Sequence, residues 1–330
     1  IKNGEEMVLM LKRKPILFLL LTLAVTLFAA TGAVSGKTAE MTEKNVNPLF
    51  DNKETLYYLF WTKDDKLKKD VTDLQATLDL SDEQMAELKS LGLEERNASR
   101  VLQTKAQELT VQSFNDQAAR IFEERNKSLQ SLLGSKYEVF SEWLTEWWAN
   151  EREYRKNWLK EKNSGIGVSA DIDRVSGIWA TQFNPNTPGA YEVALPDKYV
   201  KFANLGWWSD IPDNLEPNYD SPEYTVNVYY PDTNKSVLGV PVDESGPWNT
   251  NDNYWDSANG INPRRFGSDL DLGQPAAAAA YYDDWNDGKD ERGRIVLNPA
   301  GIDLTPDVAE DLGLGPNESA FVDVRYSDLP

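Results

Sequence analysis

The positions of hydrophobic and polar residues divide the chain into two parts with different periods. Between Lys53 and Lys162, apolar residues recur three and four positions apart and no proline occurs, a pattern that predicts α-helices. The second half changes to short runs of β-branched and aromatic residues and holds nearly all of the 17 prolines. We therefore expect an α+β protein of two domains, helical at residues 53–163 and β-rich at residues 169–330.

The helical part contains start and stop signals. Ser81 and Gln84 have the spacing of a capping box, in which each side chain bonds the backbone amide of the other residue, so a helix begins directly after Ser81. Gly92 and Gly134 are typical of helix C-termini. These signals predict about four helices, the longest over residues 93–133, arranged as an antiparallel bundle or a long helical hairpin.

Aromatic residues form a stripe on the last predicted helix. They are Trp143, Trp147, Tyr154 and Trp158, which fall on one helical face. Such a stripe is either a docking face for a partner or a glycan, or a face that packs within the protein. We expect packing, with residues 56–61 as one surface that it covers.

The β-rich part contains five candidate strands and two candidate helices. The strands are predicted over residues 177–183, 224–230, 236–242, 294–297 and 320–326. Strands this short, joined by long polar loops, predict a small barrel or sandwich. Thr305 and Pro306 predict a short helix over residues 307–312, because proline suits a first turn, and the alanines at 276–280 predict another.

The N-terminal segment has the order of a secretory signal. Lys12, Arg13 and Lys14 precede an apolar run over residues 16–30, and small residues follow. We expect a signal peptide at residues 1–35 and a linker at residues 36–52, and hence a secreted or extracellular protein associated with a bacterial cell envelope. The alternative is an uncleaved N-terminal membrane anchor.

Composition restricts the chemistry. The chain has no cysteine and no histidine, which excludes disulfides, thiolate or histidine metal sites and Ser-His-Asp triads, so acid–base chemistry would fall to carboxylates, lysine or tyrosine. The net charge of −20 argues against a nucleic-acid partner. The acidic loop at residues 283–291 lacks the alternation of an EF-hand loop. We expect neither a metal nor a cofactor.

Four segments of the second half occur in the order of a known family. They are Ile178-Trp179-Ala180-Thr181-Gln182-Phe183, Glu192-Val193-Ala194-Leu195-Pro196, Val242-Asp243-Glu244-Ser245-Gly246-Pro247-Trp248, and residues 301–313 with 321–326. The chain resembles here the double-psi β-barrel of the rare lipoprotein A and expansin kind, which has Ala-Thr-Trp-Tyr, His-x-Thr-Leu-Pro, Asp-Arg-Gly-Pro-Phe and Asp-Leu-Ser-Pro-like segments. The resemblance covers residues 169–330 and implies a six-stranded double-psi β-barrel with long loops.

The resemblance also implies site residues. It places Asp303 at the family's functional aspartate, Asp243 in the Asp-Arg segment and Glu192 where the family has histidine, and these carboxylates are the candidate catalytic residues. Thr181 in the opening strand is a candidate for ligand binding. The sequence departs from the family at Glu192 and after Asp243, where arginine is missing. The alternative for Asp303 is capping of the short helix predicted after it.

Five further aromatic residues are candidates for ligand binding. They are Trp207, Trp208, Trp248, Tyr254 and Trp255, in loops rich in proline, glycine and asparagine. Aromatic faces in such loops can stack on sugar rings. The alternative is that these rings fill a loop-rich core.

Three functions compete. In the first, the barrel of a secreted cell-envelope protein binds a polysaccharide, foremost peptidoglycan, and the helices act as a spacer or as an arm that docks a protein partner. In the second, the same barrel is a glycan-cleaving enzyme, similar to a lytic transglycosylase, that uses Asp303 with Asp243 or Glu192. In the third, the protein is a structural surface or filament subunit that self-associates through residues 53–163. We expect the first.

Overall fold

The computed structural model describes residues 52–106, 108–163, 174–185, 188–195, 225–244, 269–270, 274–290 and 292–326. These residues have a mixed α+β fold, with helices in the N-terminal half and a closed six-stranded β-barrel in the C-terminal part, so the α+β prediction is confirmed at this level. They belong to one compact unit that begins at Asn45. The predicted signal peptide lies outside the described residues, and none of the described helices is long and apolar enough to cross a membrane.

Five α-helices fill the described part of the N-terminal half. They are α1 (Thr55–Trp61), α2 (Asp65–Thr77), α3 (Asp82–Thr104), α4 (Val111–Leu133) and α5 (Tyr137–Asn163), with a two-residue strand β1 (Thr62–Lys63) after α1. Side chains of Asp64, Ser81 and Thr110 accept hydrogen bonds from first-turn amides of α2, α3 and α4. The predicted capping box is confirmed, because Gln84 also bonds the backbone amide of Ser81.

The two helix glycines have different roles. Gly134 ends α4 with a φ of +53°, as predicted. The prediction for Gly92 is wrong, because this residue lies inside α3, where a Cβ atom would stand 3.0 Å from the carbonyl carbon of Leu56. Glycine is needed there so that α3 can cross α1 closely. The predicted helix over residues 93–133 is also wrong, since Thr110 caps a new helix without a glycine or proline to mark the break.

Six strands close the barrel. They are β2 (Arg174–Gln182), β3 (Val193–Leu195), β4 (Thr225–Tyr230), β5 (Lys235–Glu244), β6 (Ile302–Leu304) and β7 (Ser319–Tyr326). They follow the order β7-β2-β6-β3-β5-β4 around the barrel, and β4 pairs with β7 to close it, while β1 adds to the start of β7. Two neighbouring pairs are parallel, β2 with β6 and β3 with β5. Helices α6 (Ala276–Asp283) and α7 (Pro306–Asp311) precede β6 and β7 and confirm both short helices.

Alternate residues of the strands fill the inside of the barrel. This core includes Ile178, Ala180, Val193, Leu195, Val240, Val242, Ile302, Leu304, Val322 and Val324, all buried. Successive side chains of a strand point to opposite faces, so the residues between these positions lie on the outer face.

The strand predicted over residues 294–297 is wrong. Ile295 forms only an isolated bridge with Lys289. Instead, the backbone N–H of Ile295 donates to the side chain of Asn115 in α4 at 3.0 Å, and Leu297 joins an apolar cluster of α3 and α4. The apolar pattern of this segment arises from packing along helices.

An aromatic core joins the helices to the barrel. Tyr58 of α1 lies at its centre and contacts the rings of Trp147, Trp148, Trp179, Tyr281, Tyr282 and Phe321. Trp179 of β2 and Phe321 of β7 come from the outer face of the barrel. The packing prediction for the aromatic stripe of α5 is confirmed for Trp147, which meets α1, whereas Tyr154 is 40% exposed.

A buried ion pair stabilises this junction. Arg155 and Glu151 of α5 are fully buried and lie 2.8 Å apart. Glu151 also accepts a hydrogen bond from the hydroxyl of Tyr58 at 2.7 Å. The guanidinium of Arg155 lies 4.0 Å from the centre of the Phe321 ring, a cation–π contact between helix and barrel.

Candidate functional site

Four residues form one row across four neighbouring strands of the barrel. Thr181 of β2 is the register partner of Asp303 of β6, Asp303 that of Ala194 of β3, and Ala194 that of Asp243 of β5. Neighbouring strands lie about 4.8 Å apart, so the backbones of Asp303 and Asp243 are separated by about 10 Å. The fold thus brings three predicted site residues, distant in sequence, into one row.

The carboxylate of Asp303 lies on the outer face of the barrel. It accepts a hydrogen bond from the hydroxyl of Thr181, a fully buried residue, while the flanking Ile302 and Leu304 lie in the barrel core. The capping alternative for Asp303 is wrong, because the N-cap of α7 is Thr305. The contact with Thr181 marks Asp303 as a hydrogen-bond acceptor at the barrel surface.

Glu192 lies beside the same row. It directly precedes β3, two residues before Ala194, and therefore on the same face of the strand. Thr305 fixes its backbone: the carbonyl oxygen of Glu192 accepts from the Oγ1 of Thr305 at 3.0 Å and from its backbone N–H at 3.2 Å. The described part of the chain therefore places Glu192, Thr181 and Asp303 together, and Asp243 joins them by backbone pairing.

Helix α3 brings a buried arginine toward this row. The guanidinium of Arg96 lies 3.4 Å from the carboxylate of Glu54 and 5.5 Å from the centre of the Tyr57 ring. Burial alone would lower the pKa of Arg96, but Glu54, Tyr57 and Asp303 outweigh burial and raise it. The charge of Asp303 therefore acts across the boundary between barrel and helices.

A second arginine, Arg100, follows one helical turn later. It is half-buried, and burial together with the charge of Arg96 lowers its pKa, while Asp303 acts in the opposite direction. Arg100 thus shares the electrostatic environment of the row with Arg96. Arg96 and Arg100 of α3 therefore both respond to the charge of Asp303 in β6.

A partly exposed aromatic ring directly precedes Glu192 in the chain. Tyr191, next to Glu192, is 38% exposed, and its hydroxyl donates to the carboxylate of Asp311 at 2.8 Å. Partial burial and this hydrogen bond raise the pKa of Tyr191 to about 12. The hydroxyl therefore stays protonated at neutral pH, and the ring is held in place with part of its surface free.

The five loop aromatics predicted to bind ligand lie outside the described residues. They are Trp207, Trp208, Trp248, Tyr254 and Trp255. Asp243 is described by its backbone alone. In the described ranges, no three acidic side chains are grouped in a way that would hold a metal ion.

Sequence reasoning missed Arg96, Arg100 and Tyr191. A signal for the arginines exists, because Leu88, Gly92, Arg96 and Arg100 recur every four residues and share one face of α3. Leu88 and Gly92 are buried, so the two arginines continue a buried stripe toward the barrel. For Tyr191 the sequence carries no distinguishing pattern.

Comparison with known protein families gives one match, and it lies on the barrel. A family model described as a domain of unknown function, DUF8814, matches residues 175–325. This span begins in β2 and ends in β7, so the family model covers the barrel strands and leaves out helices α1 to α5. No curated protein and no solved structure matches the chain.

Proposed function

We propose that the outer face of the barrel binds a polysaccharide, with peptidoglycan as the foremost ligand. The observation that carries this proposal is the row of Thr181, Asp303 and Asp243 across β2, β6 and β5, with Glu192 beside it. Sugar hydroxyls are hydrogen-bond donors, and carboxylates at strand spacing offer acceptors to successive hydroxyls. The exposed ring of Tyr191 offers an apolar surface for a sugar face.

We further propose that the barrel is of the double-psi type. The two parallel pairs, β2 with β6 and β3 with β5, support this, because the segments that carry the resemblance supply these strands. The location at a bacterial cell envelope rests on the order of charged and apolar residues in residues 1–35.

The helical half has a supporting role in this proposal. Trp179 and Phe321 pack against α1 and α5, and Arg96 of α3 lies in the field of Asp303. The helices thereby hold the outer face of the barrel and border the row, while their exposed sides stay open to a protein partner or to a second copy of the chain.

Cleavage of the glycan is the second candidate. It is favoured by the separation of about 10 Å between the backbones of Asp303 and Asp243. In inverting glycosidases the two catalytic carboxyl groups lie about 6.5 to 9.5 Å apart. In that mechanism one carboxylic acid protonates the leaving oxygen and the other activates water. The hydrogen bond from Thr181 to Asp303 favours an acceptor role, and we therefore place binding first.

The test is a pull-down on purified peptidoglycan with residues 37–330, which contain the whole compact unit from Asn45 onward. Soluble fragments are followed by mass spectrometry, and Asp303→Asn is compared with Asp73→Asn, an exposed aspartate of α2. Binding without fragments that weakens only in Asp303→Asn supports the proposal. Fragments that disappear only in Asp303→Asn would establish the enzyme. Absence of binding would overturn both and favour the structural subunit, visible as concentration-dependent oligomers.

A further inference from the structure

Strand β6, which carries Asp303, is short and is held in part by the segments on either side of it. It has three residues, Ile302–Leu304, and pairs with β2 on one side and with β3 on the other. Three residues form few ladder hydrogen bonds, and a slip by one residue would turn Asp303 toward the barrel core. Contacts directly before and after β6 therefore help to set the direction of the Asp303 side chain.

The barrel supplies contacts at both ends of β6. Thr305, directly after the strand, donates to the carbonyl oxygen of Glu192 from its backbone N–H at 3.2 Å and from its Oγ1 at 3.0 Å. Gly301, directly before the strand, donates from its backbone N–H to the carbonyl oxygen of Trp179 in β2 at 3.0 Å. A further contact at the start of β6 comes from the helical half.

This contact joins Glu54, the N-cap residue of α1, to Asn298. Both side chains are buried, and the Nδ2 of Asn298 donates to the Oε1 of Glu54 at 3.2 Å. The Oδ1 of Asn298 accepts from the backbone N–H of Ala300 at 3.1 Å, so this one side chain links Glu54 to the turn that leads into β6. The backbone N–H of Glu54 also donates to the carbonyl oxygen of Leu297 at 2.8 Å. Glu54 thus holds two successive residues of the segment before β6.

Glu54 is itself held by two other helices. The guanidinium of Arg96 in α3 lies 3.4 Å from each oxygen of the Glu54 carboxylate, and both side chains are buried. Arg125 of α4 donates to the backbone carbonyl oxygen of the preceding residue, Lys53, at 3.2 Å. Helices α3 and α4 therefore fix the position of Glu54, and Glu54 transmits that position to Asn298.

We propose that Glu54 is a positioning residue for the polysaccharide site, which holds Asn298 and thereby directs Asp303 of β6 toward the ligand. This inference rests on the proposed function and gives the helical half a part in that same site. Hydrogen bonds weaken steeply when their distance or angle departs from the optimum, so a small shift of β6 is enough to weaken the bonds of Asp303 to sugar hydroxyls.

The experiment exchanges the two sides of the hydrogen bond between Glu54 and Asn298. Asn298→Asp keeps an acceptor for the backbone N–H of Ala300 but replaces the donor to Glu54 by a second carboxylate. Adding Glu54→Gln restores the bond with donor and acceptor exchanged, and the pair then has its original net charge. Leu74→Ala, which removes a buried side chain of α2, is the control for a loss of stability alone.

Two quantities are measured at a temperature at which circular dichroism shows all variants folded. They are the apparent Kd for purified peptidoglycan and, without ligand, the hydrogen exchange of the β6 amides. Asn298→Asp should weaken binding about fivefold to tenfold, the effect of one hydrogen bond to a charged group, and should speed exchange in β6. The double variant should restore both quantities. Leu74→Ala should lower the melting temperature and leave the Kd unchanged.

The outcomes separate this inference from the function on which it rests. A wild-type Kd in Asn298→Asp would overturn the inference and leave polysaccharide binding intact, and so would a weakened Kd that the double variant does not restore. Absence of binding by the wild type would overturn the proposed function. Exchange in β6 would then decide the inference, and unchanged rates in Asn298→Asp would overturn it. Should Asn298→Asp fail to fold, Asn298→Ser takes its place, since serine keeps an acceptor for Ala300 and loses the bond to Glu54.

Discussion

The hydroxyl of Thr181 donates a hydrogen bond to the carboxylate of Asp303, and the two residues are direct partners across the parallel strands β2 and β6. The pair therefore depends on the pairing of β2 with β6, two strands that residues 183–301 separate along the chain. It also orients a carboxylate whose charge acts on Arg96 of α3.

Replacing Thr181 by valine tests this pair. The change keeps the branched shape but leaves the buried side of the Asp303 carboxylate without its donor, which should cost about 1 to 3 kcal/mol of unfolding free energy. Urea denaturation measures the loss, and polysaccharide binding should weaken in parallel. The control Thr77→Val, at an exposed position of α2, should leave both unchanged. Equal stability of both variants would show that the hydrogen bond between Thr181 and Asp303 does not contribute to the free energy of unfolding.

Gly92→Ala tests the crossing of α1 and α3. Alanine has the better helix propensity by about 1 kcal/mol, yet its Cβ atom would stand 3.0 Å from the carbonyl carbon of Leu56 and 3.1 Å from the amide nitrogen of Tyr57. Backbone atoms cannot move aside as a side chain does, so we expect a net loss of about 1 to 3 kcal/mol. Ser90→Ala, on the exposed face of α3, should not destabilise. Thermal and urea unfolding compare the two variants, and a stabilised Gly92→Ala would contradict the close crossing.

Glu95 makes stability depend on pH near neutrality. Its carboxylate accepts from the backbone amides of Leu56 and Tyr57 and pairs with Arg125, but burial raises its pKa from 4.5 to about 7. Between these two values the folded state binds more protons at Glu95 than the unfolded state. The contribution of Glu95 to the free energy of unfolding is therefore fully present below pH 4.5 and is lost as the pH rises through 7. Burial also raises the pKa of the adjacent Glu54, which adds in the same direction.

The measurement is the free energy of unfolding at about pH 5, 6, 7 and 8, values that span the titration of Glu95 in the folded state. The wild type should lose stability with a slope of at most about 1.4 kcal/mol per pH unit for one group. Glu95→Gln should flatten this slope, whereas Glu87→Gln, an exposed residue of α3, should keep it. A slope of opposite sign that Glu95→Gln leaves unchanged would exclude Glu95 as the source.

The ion pair of Arg155 and Glu151 should be strongly coupled. Arg155→Met leaves the fully buried Glu151 without its guanidinium partner and should cost about 3 to 5 kcal/mol. Glu151 then keeps Lys66, 2.6 Å away, as an ion-pair partner but lacks the guanidinium on its other oxygen. Adding Glu151→Gln should restore part of the loss, because the buried carboxylate charge is then removed. The matched control is Lys127 and Glu123, an exposed pair with the same four-residue spacing on α4, for which we expect no measurable coupling. Additive effects at Arg155 and Glu151 would contradict the interpretation.

Local sequence signals predicted the elements well where neighbouring residues determine the structure. The capping box at Ser81, the stop at Gly134 and the short helix after Thr305 follow from contacts within a few residues. The predictions failed where a distant element decides. Gly92 is required by the approach of α1, and Ile295 packs on α4.

The same distinction applies to the site. The family resemblance brought out Thr181, Asp303 and Asp243, and the register aligns them, because strand order is a property of the whole barrel. Arg100 was not found, since the charge that acts on it belongs to Asp303 of the barrel, about 200 residues further along the chain. Hydrophobic periodicity does not connect residues so far apart. Sites built between two structural layers escape pattern analysis for this reason.

The pairing of β7 has a consequence for how the chain folds. This strand bonds with β1, β2 and β4, and the contact between Thr62 and Ser319 joins residues 257 positions apart. Contacts between residues so far apart form slowly, because closing the long loop between them costs chain entropy before the contacts stabilise the chain. Until β7 arrives, the aromatic face of α1 and α5 that Phe321 covers is exposed. During synthesis this apolar surface therefore stays uncovered until β7 has been made, and exposed apolar surface of this kind favours aggregation of partly folded chains.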